Sequence, residues 1–246
     1  VPVIADMKIS KKYTLLTLFI LVMIVLIFAA SNVRLMKTLY LIAQVSPYEQ
    51  VVPGAPSILV LGDSTGYGTG ADTKEDSVAG RMGADFSGYT IINDSKNGRT
   101  INELVPVVAG LTGQYALILL QIGSNDILSK RPIDTVEMEL RTIIQQLAGH
   151  TNHVVMMSSG NVGGAVMFSP VEAEKFEAYT RDFRAMFFAV QADTIMTYVD
   201  LFLEPEDDFF TQEPKVYTSW DELHPSSQGY AEWYKRLYPV LIYLLR

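Results

Sequence analysis

The sequence contains three histidines, at positions 150, 153 and 224, and no cysteine. A thiol nucleophile, a disulfide and a Cys-ligated zinc are therefore excluded. A serine hydroxyl is a weak nucleophile until a base takes its proton, and imidazole titrates in the right range for that work. His224 lies in the string Asp221-Glu222-Leu223-His224-Pro225. A carboxylate three residues before an imidazole can reach it within one turn and fix its tautomer. Asp221 holds that place, while Glu222 points elsewhere in the turn, toward solvent. The bland alternative for His224 is a surface histidine ahead of a proline-initiated helix.

Upstream, Gly62-Asp63-Ser64-Thr65-Gly66 follows an apolar run. A serine at a strand-to-helix turn has its own N–H and neighbouring N–H groups aimed at a nearby anion, which suits a nucleophile that must also stabilise an oxyanion. The alternative is an N-capping serine in a glycine-rich turn. Gly123-Ser124-Asn125-Asp126 follows another apolar run, and Asn125 can point its amide at the same place. An Asx turn would also account for it. Between the two lies Asn93-Asp94-Ser95-Lys96-Asn97-Gly98-Arg99-Thr100, where Gly98 can present a backbone N–H at close range or simply make a turn.

The elements that must bring these residues together are legible as an alternation. Apolar runs at 58–61, 90–93, 117–122, 154–157 and 195–199 read as buried strands, and their near-continuous hydrophobicity suits a parallel sheet covered on both faces. Helical patterns span 135–147 and 170–190, and a third spans 226–245, where Pro239 is expected to kink or end it. Strands alternating with helices predict a three-layer α/β domain, in which sites form at the carboxyl ends of the strands. His150 and His153 precede a strand and so fall on the opposite edge, leaving His224 as the base candidate. Gly-x-Ser-x-Gly also matches the elbow of α/β-hydrolases. Here, however, the serine follows the first strand, no upstream His-Gly-Gly-Gly loop exists, and acid and base stand three residues apart. The glycine-rich loop 159–164 falls on the catalytic edge and is expected to move and to border substrate.

At the N-terminus, residues 13–30 are apolar and uncharged, about 27 Å as a helix, and follow Lys8, Lys11 and Lys12. This predicts a single-pass membrane anchor, with the basic flank cytoplasmic and the remainder extracytoplasmic, periplasmic or at the cell surface. A cleaved signal peptide is the alternative. The expected organisation is a basic flank (1–12), a transmembrane and juxtamembrane helix (13–45), a linker (46–56) and a catalytic domain (57–246). The net charge of −8, with no clustered Lys or Arg, argues against a nucleic-acid partner.

From residue 57 onward the chain resembles the SGNH (GDSL-type) hydrolases, whose four blocks read here as Gly62-Asp63-Ser64, Gly98, Gly123-Ser124-Asn125-Asp126 and Asp221-Glu222-Leu223-His224. The resemblance implies a flavodoxin-like three-layer sandwich with a parallel sheet of about five strands. It implies Ser64 as nucleophile, His224 as base oriented by Asp221, and an oxyanion hole from Ser64 N–H, Gly98 N–H and the Asn125 side chain. No metal or organic cofactor is implied. The first block departs from the eponymous Gly-Asp-Ser-Leu in having Thr65. The expected substrate is a small-molecule or lipid ester, in an esterase or lysophospholipase-like reaction. Phe209, Phe210, Tyr217 and Trp220 are candidates for an acyl pocket, with core packing as the alternative. A second reading is O-deacetylation of envelope or surface carbohydrates, and a third is a silent anchored scaffold, which would show a broken triad.

Overall fold

The five apolar runs form five strands: β1 (Ser57–Gly62), β2 (Thr90–Asn93), β3 (Leu117–Gln121), β4 (Val154–Met157) and β5 (Met196–Val199). The structure is a computed structural model that describes residues 11–245 and, within the first helix, the side chains of residues 13–28. All strand pairs are parallel, in the order β2-β1-β3-β4-β5. The chain winds outward from β1 in one direction and from β3 in the other, so the strand order reverses between β1 and β3. In open parallel sheets the crevice outside such a switch point is where sites are built. Gly62 pairs with Gln121 at this point, so the two strands end side by side.

Alternation along β1 sends its side chains to two cores. Ile58 and Val60 pack with the helices α4 (Val78–Asp85) and α11 (Ser227–Leu245). Leu59 and Leu61 pack with α5 (Ile101–Ala109), α7 (Ile133–Leu147) and α8 (Pro170–Ala192). Each is at most 2% exposed, and full burial of such a side chain is worth about 1.5–3 kcal/mol. Four short helices complete the domain: α3 (Ser64–Tyr67), α6 (Ser124–Leu128), α9 (Phe209–Gln212) and α10 (Pro214–Tyr217). The start of α8 is fixed by local chemistry. Pro170 opens it, and the Ser169 N–H donates to the Glu172 carboxylate at 2.9 Å.

The sequence pattern misplaces the effect of Pro239. α11 runs through it to Leu245, because Leu237 and Leu241 are both buried and hold the helix on either side. Residues 46–56, read as a linker, are docked on the edge of the sheet. The Gln50 N–H donates to the Ile91 carbonyl at 3.1 Å and the Ile91 N–H returns to Gln50 at 2.8 Å. Tyr48 lies over Gly83, where a Cβ would stand 2.5 Å from its ring.

The chain divides into two units, one ending at Tyr40 and the other starting at Leu41. The first carries α1 (Lys11–Ser31) and the start of α2 (Val33–Gln44), which are separated at Asn32. Here the membrane expectation is corrected: among the described residues no helix is long and apolar enough to cross a membrane. The transmembrane segment, the single-pass anchor and the extracytoplasmic placement built on it are withdrawn together. The basic flank lies outside the described residues up to position 10.

Candidate active site

β1 leaves the sheet through Gly62, where only a glycine fits: a Cβ would stand 2.6 Å from the Gln121 carbonyl oxygen and 2.8 Å from Ser95 Oγ. The chain then turns into α3. Asp63 caps this helix, its Oδ1 accepting from both the N–H and the hydroxyl of Thr65 at 2.8 Å. The Asp63 side chain is buried, and burial holds its carboxyl above the ordinary value against the opposing Thr65 hydrogen bonds. Ser64 is the first residue of α3, so its N–H has no partner within the helix.

The Asp221–His224 turn meets Ser64 from the other end of the chain. His224 Nε2 stands 2.9 Å from Ser64 Oγ, and His224 Nδ1 stands 2.6 Å from Asp221 Oδ2. The other carboxylate oxygen of Asp221 accepts the N–H groups of Leu223 and His224 at 3.1 and 3.0 Å. Burial pushes the Asp221 carboxyl up, but the hydrogen bond from His224, the charge of His224 and these two N–H groups outweigh it and hold it down at about 2. An ionised carboxylate only accepts, so Nδ1 carries the ring proton and Nε2 is the acceptor for the Ser64 hydroxyl. Glu222 adopts φ 68°, a left-handed conformation that tightens the turn between Asp221 and His224.

Gly98 and Asn125 come from the ends of β2 and β3. Gly98 is exposed, has φ 80°, and has nothing within 4 Å of where a Cβ would be. Among the described residues, neither its N–H nor that of Ser64 meets an acceptor. Asn125 Nδ2 donates to the Arg99 carbonyl at 3.0 Å, which identifies the amide nitrogen and leaves its second hydrogen free. The neighbouring Asp126 accepts the Ile101 N–H at 3.0 Å and pairs with Arg131 at 2.8 Å. The Gly123–Asp126 block thus clamps the segment that carries Gly98.

Two residues that the sequence reading passed over shape the site. Gly70, with φ 96°, is packed so closely that a Cβ would stand 2.4 Å from the Pro225 carbonyl and 2.9 Å from His224 Cβ. Thr69 is fully buried and bonded on all sides. Its signal in the sequence was weak, one threonine in a glycine-rich string. The loop 159–164 carries a short helical turn at Val162–Gly164. Just beyond it, the Met167 N–H donates to the Glu222 carbonyl at 3.3 Å and so joins the loop to the Asp221–His224 turn. Of the four acyl-pocket candidates, three are half-buried and pack on other rings. Phe209 meets Tyr217 at 4.7 Å between ring centroids, and Phe210 meets Trp233 of α11 at 5.8 Å, whereas Trp220 is exposed. His150 bonds the Gly113 carbonyl through Nδ1 at 2.7 Å, at the amino-terminal edge of the sheet.

The GDSL-like Lipase/Acylhydrolase family matches residues 60–232. The chain belongs to this family and is a carboxylic ester hydrolase. No functionally curated protein matches it in sequence. Among solved structures, it is similar to a member of the lipolytic protein G-D-S-L family from Veillonella parvula, with TM-score 0.60 and 17% identity over 76% of this chain and 98% of the other. It is also similar to the psychrotrophic esterase EstA from Pseudoalteromonas sp., with TM-score 0.55 and 20% identity over 77% and 98%. A third is an acetyl xylan esterase, AlAXEase, with TM-score 0.57 and 18% identity over 75% and 99%. At these identities the likeness is one of fold.

Proposed function

We propose that the chain hydrolyses acyl esters through a serine nucleophile and an acyl-enzyme. The observation that carries this reading is the continuous line from Asp221 Oδ2 to His224 Nδ1 at 2.6 Å and from His224 Nε2 to Ser64 Oγ at 2.9 Å. In the proposed reaction Ser64 Oγ attacks the ester carbonyl carbon while His224 Nε2 takes the hydroxyl proton. Ser64 N–H, Gly98 N–H and Asn125 Nδ2–H donate to the oxyanion. The tetrahedral intermediate collapses, the C–O bond to the alcohol breaks, and His224 gives its proton to the leaving oxygen. Water, deprotonated by His224 Nε2, then attacks the acyl carbon, the bond to Ser64 Oγ breaks, and His224 returns the proton to Ser64 Oγ as the acid leaves. One lost oxyanion donor costs about 2.7–4 kcal/mol of transition-state stabilisation in enzymes of this chemistry.

A second reading, O-deacetylation of an acetylated carbohydrate, is favoured by one specific observation. Phe209, Phe210 and Tyr217 pack on each other, and Phe210 also on Trp233 of α11, so part of their ring surface is spent on packing and less is left to line a long acyl pocket. The likeness to an acetyl xylan esterase points the same way. Hydrolysis of p-nitrophenyl esters from acetate to palmitate, by the protein and by Ser64→Ala, tests both readings. Activity lost in Ser64→Ala supports the nucleophile, and a preference for acetate supports deacetylation. An optimum at six or more carbons rejects deacetylation, and equal activity in both proteins rejects the triad.

A further inference from the structure

Gly98 is exposed, with open space where a Cβ would stand, so its neighbours must place it. On one side Asn125 holds the Arg99 carbonyl at 3.0 Å. On the other side, Thr69 Oγ1 donates to Asn97 Oδ1 at 2.6 Å. Thr69 is 0% exposed and uses its remaining groups equally fully. Its N–H donates to the Ser64 carbonyl at 3.0 Å, and its carbonyl accepts the Tyr230 hydroxyl at 2.7 Å. One residue therefore ties the turn that carries Ser64 to the turn that carries Gly98, and both to a fully buried tyrosine of α11.

We propose that Thr69 and Asn97 are positioning residues whose side-chain hydrogen bond holds the Gly98 N–H at the distance from Ser64 that an oxyanion requires. The inference rests on the reading of Ser64 as nucleophile. Its physical basis is preorganisation: a donor contributes in the transition state only if it is already aimed there, and a tip residue with open space around it moves unless its flanks are fixed. The Thr69 hydroxyl is the only one of its three links that a side-chain substitution removes. Thr69→Val deletes it at nearly constant shape and leaves the backbone bonds to Ser64 and Tyr230 in place.

The test combines steady-state hydrolysis of p-nitrophenyl acetate with NMR relaxation of the Gly98 amide, in wild type, Thr69→Val, Thr69→Ser, Asn97→Leu and the double variant Thr69→Val/Asn97→Leu. Thr69→Val and Asn97→Leu are each expected to lower kcat about 10- to 100-fold with KM within about 3-fold. The double variant should be no slower than the slower single, because both remove the same bond. Thr69→Ser should restore most of the rate, which a purely structural loss would not predict. The Gly98 order parameter should drop from about 0.85 toward 0.6 in Thr69→Val. A Thr69→Val enzyme with wild-type kcat, or a Gly98 amide as rigid as in wild type, overturns the proposal. If wild type shows no Ser64-dependent hydrolysis, the reading of Ser64 as nucleophile fails by itself and the Gly98 relaxation still decides whether the hydrogen bond positions that residue.

Discussion

Asn125 Nδ2 donates to the Arg99 carbonyl at 3.0 Å, so the start of α6 holds the turn that follows β2. The amide has two hydrogens, and this bond spends one on structure while orienting the other. Asn125→Ala loses both. Its kcat on p-nitrophenyl acetate is expected to fall about 10²–10³-fold, with a small change in KM. Asn125→Asp keeps the shape but presents an acceptor to the Arg99 carbonyl, so it should be at least as slow. Rates of fluorophosphonate labelling at Ser64 give the same comparison without turnover, and an Asn125→Ala rate within about 3-fold of wild type would remove Asn125 from the proposed hole.

Gly70 makes the convergence of Ser64 and His224 possible. Its φ of 96° is poorly suited to a side chain, and an added Cβ would press on Pro225 and His224. Gly70→Ala should therefore destabilise the fold by about 1–3 kcal/mol and displace His224 from Ser64. The expected outcome is a lower melting temperature together with a loss of activity larger than the melting shift explains at 25 °C. Gly88, which has open space around it and no positive φ, is the control: Gly88→Ala should leave both unchanged.

The sheet was legible because buried parallel strands read as short apolar runs, and 90–93 and 154–157 match in full the observed β2 and β4. Ser64, Gly98, Asn125, Asp221 and His224 were legible because each sits in a short contiguous string. The structure brings Ser64, His224 and Asp221 into one hydrogen-bonded line. What escaped was chemistry between distant parts of the chain. Thr69 meets Asn97 across 28 residues and Tyr230 across 161, and no local spacing encodes either contact. α4 was hidden by Gly80 and Gly83, and α5 by Pro106, residues that weigh against helix locally but are overridden by packing. The membrane expectation rested on the composition of one run alone, and among the described residues no helix is long and apolar enough to cross a membrane.

Asp221 gives stability a defined pH dependence. Its folded carboxyl is held at about 2, below the ordinary 3.8, so its contribution is fully present above pH 4 and is lost as pH falls through about 2. Asp221→Asn has no such titration. The stability advantage of wild type over Asp221→Asn should therefore shrink by about 2 kcal/mol between pH 5 and pH 2. Urea unfolding of both proteins at a series of pH values measures it. A difference that stays constant across this range would show that the hydrogen bonds to Asp221 do not depress its pKa.

Asp126 should show the opposite sign. It is fully buried, and burial raises its carboxyl pKa against the hydrogen bonds from Arg131 and the Ile101 N–H. Arg131 also bridges to Glu139 at 2.8 Å, so it neutralises Asp126 from a fixed position. Arg131→Met leaves a buried carboxylate without its cation, a change that costs about 3–5 kcal/mol when the charge persists. A raised folded pKa means that folding takes up a proton, so stability declines as pH rises through that value. The penalty of Arg131→Met should thus grow as pH rises, because protonation of Asp126 relieves it toward the acid end. Because Asp126 also holds the Ile101 N–H at the start of α5, just after the Gly98 turn, the variant should lose activity in the same pH direction. Adding Asp126→Asn to Arg131→Met should recover stability at pH 8 and remove the pH dependence. A penalty independent of pH would mean instead that the loss comes from the packing of the arginine stem.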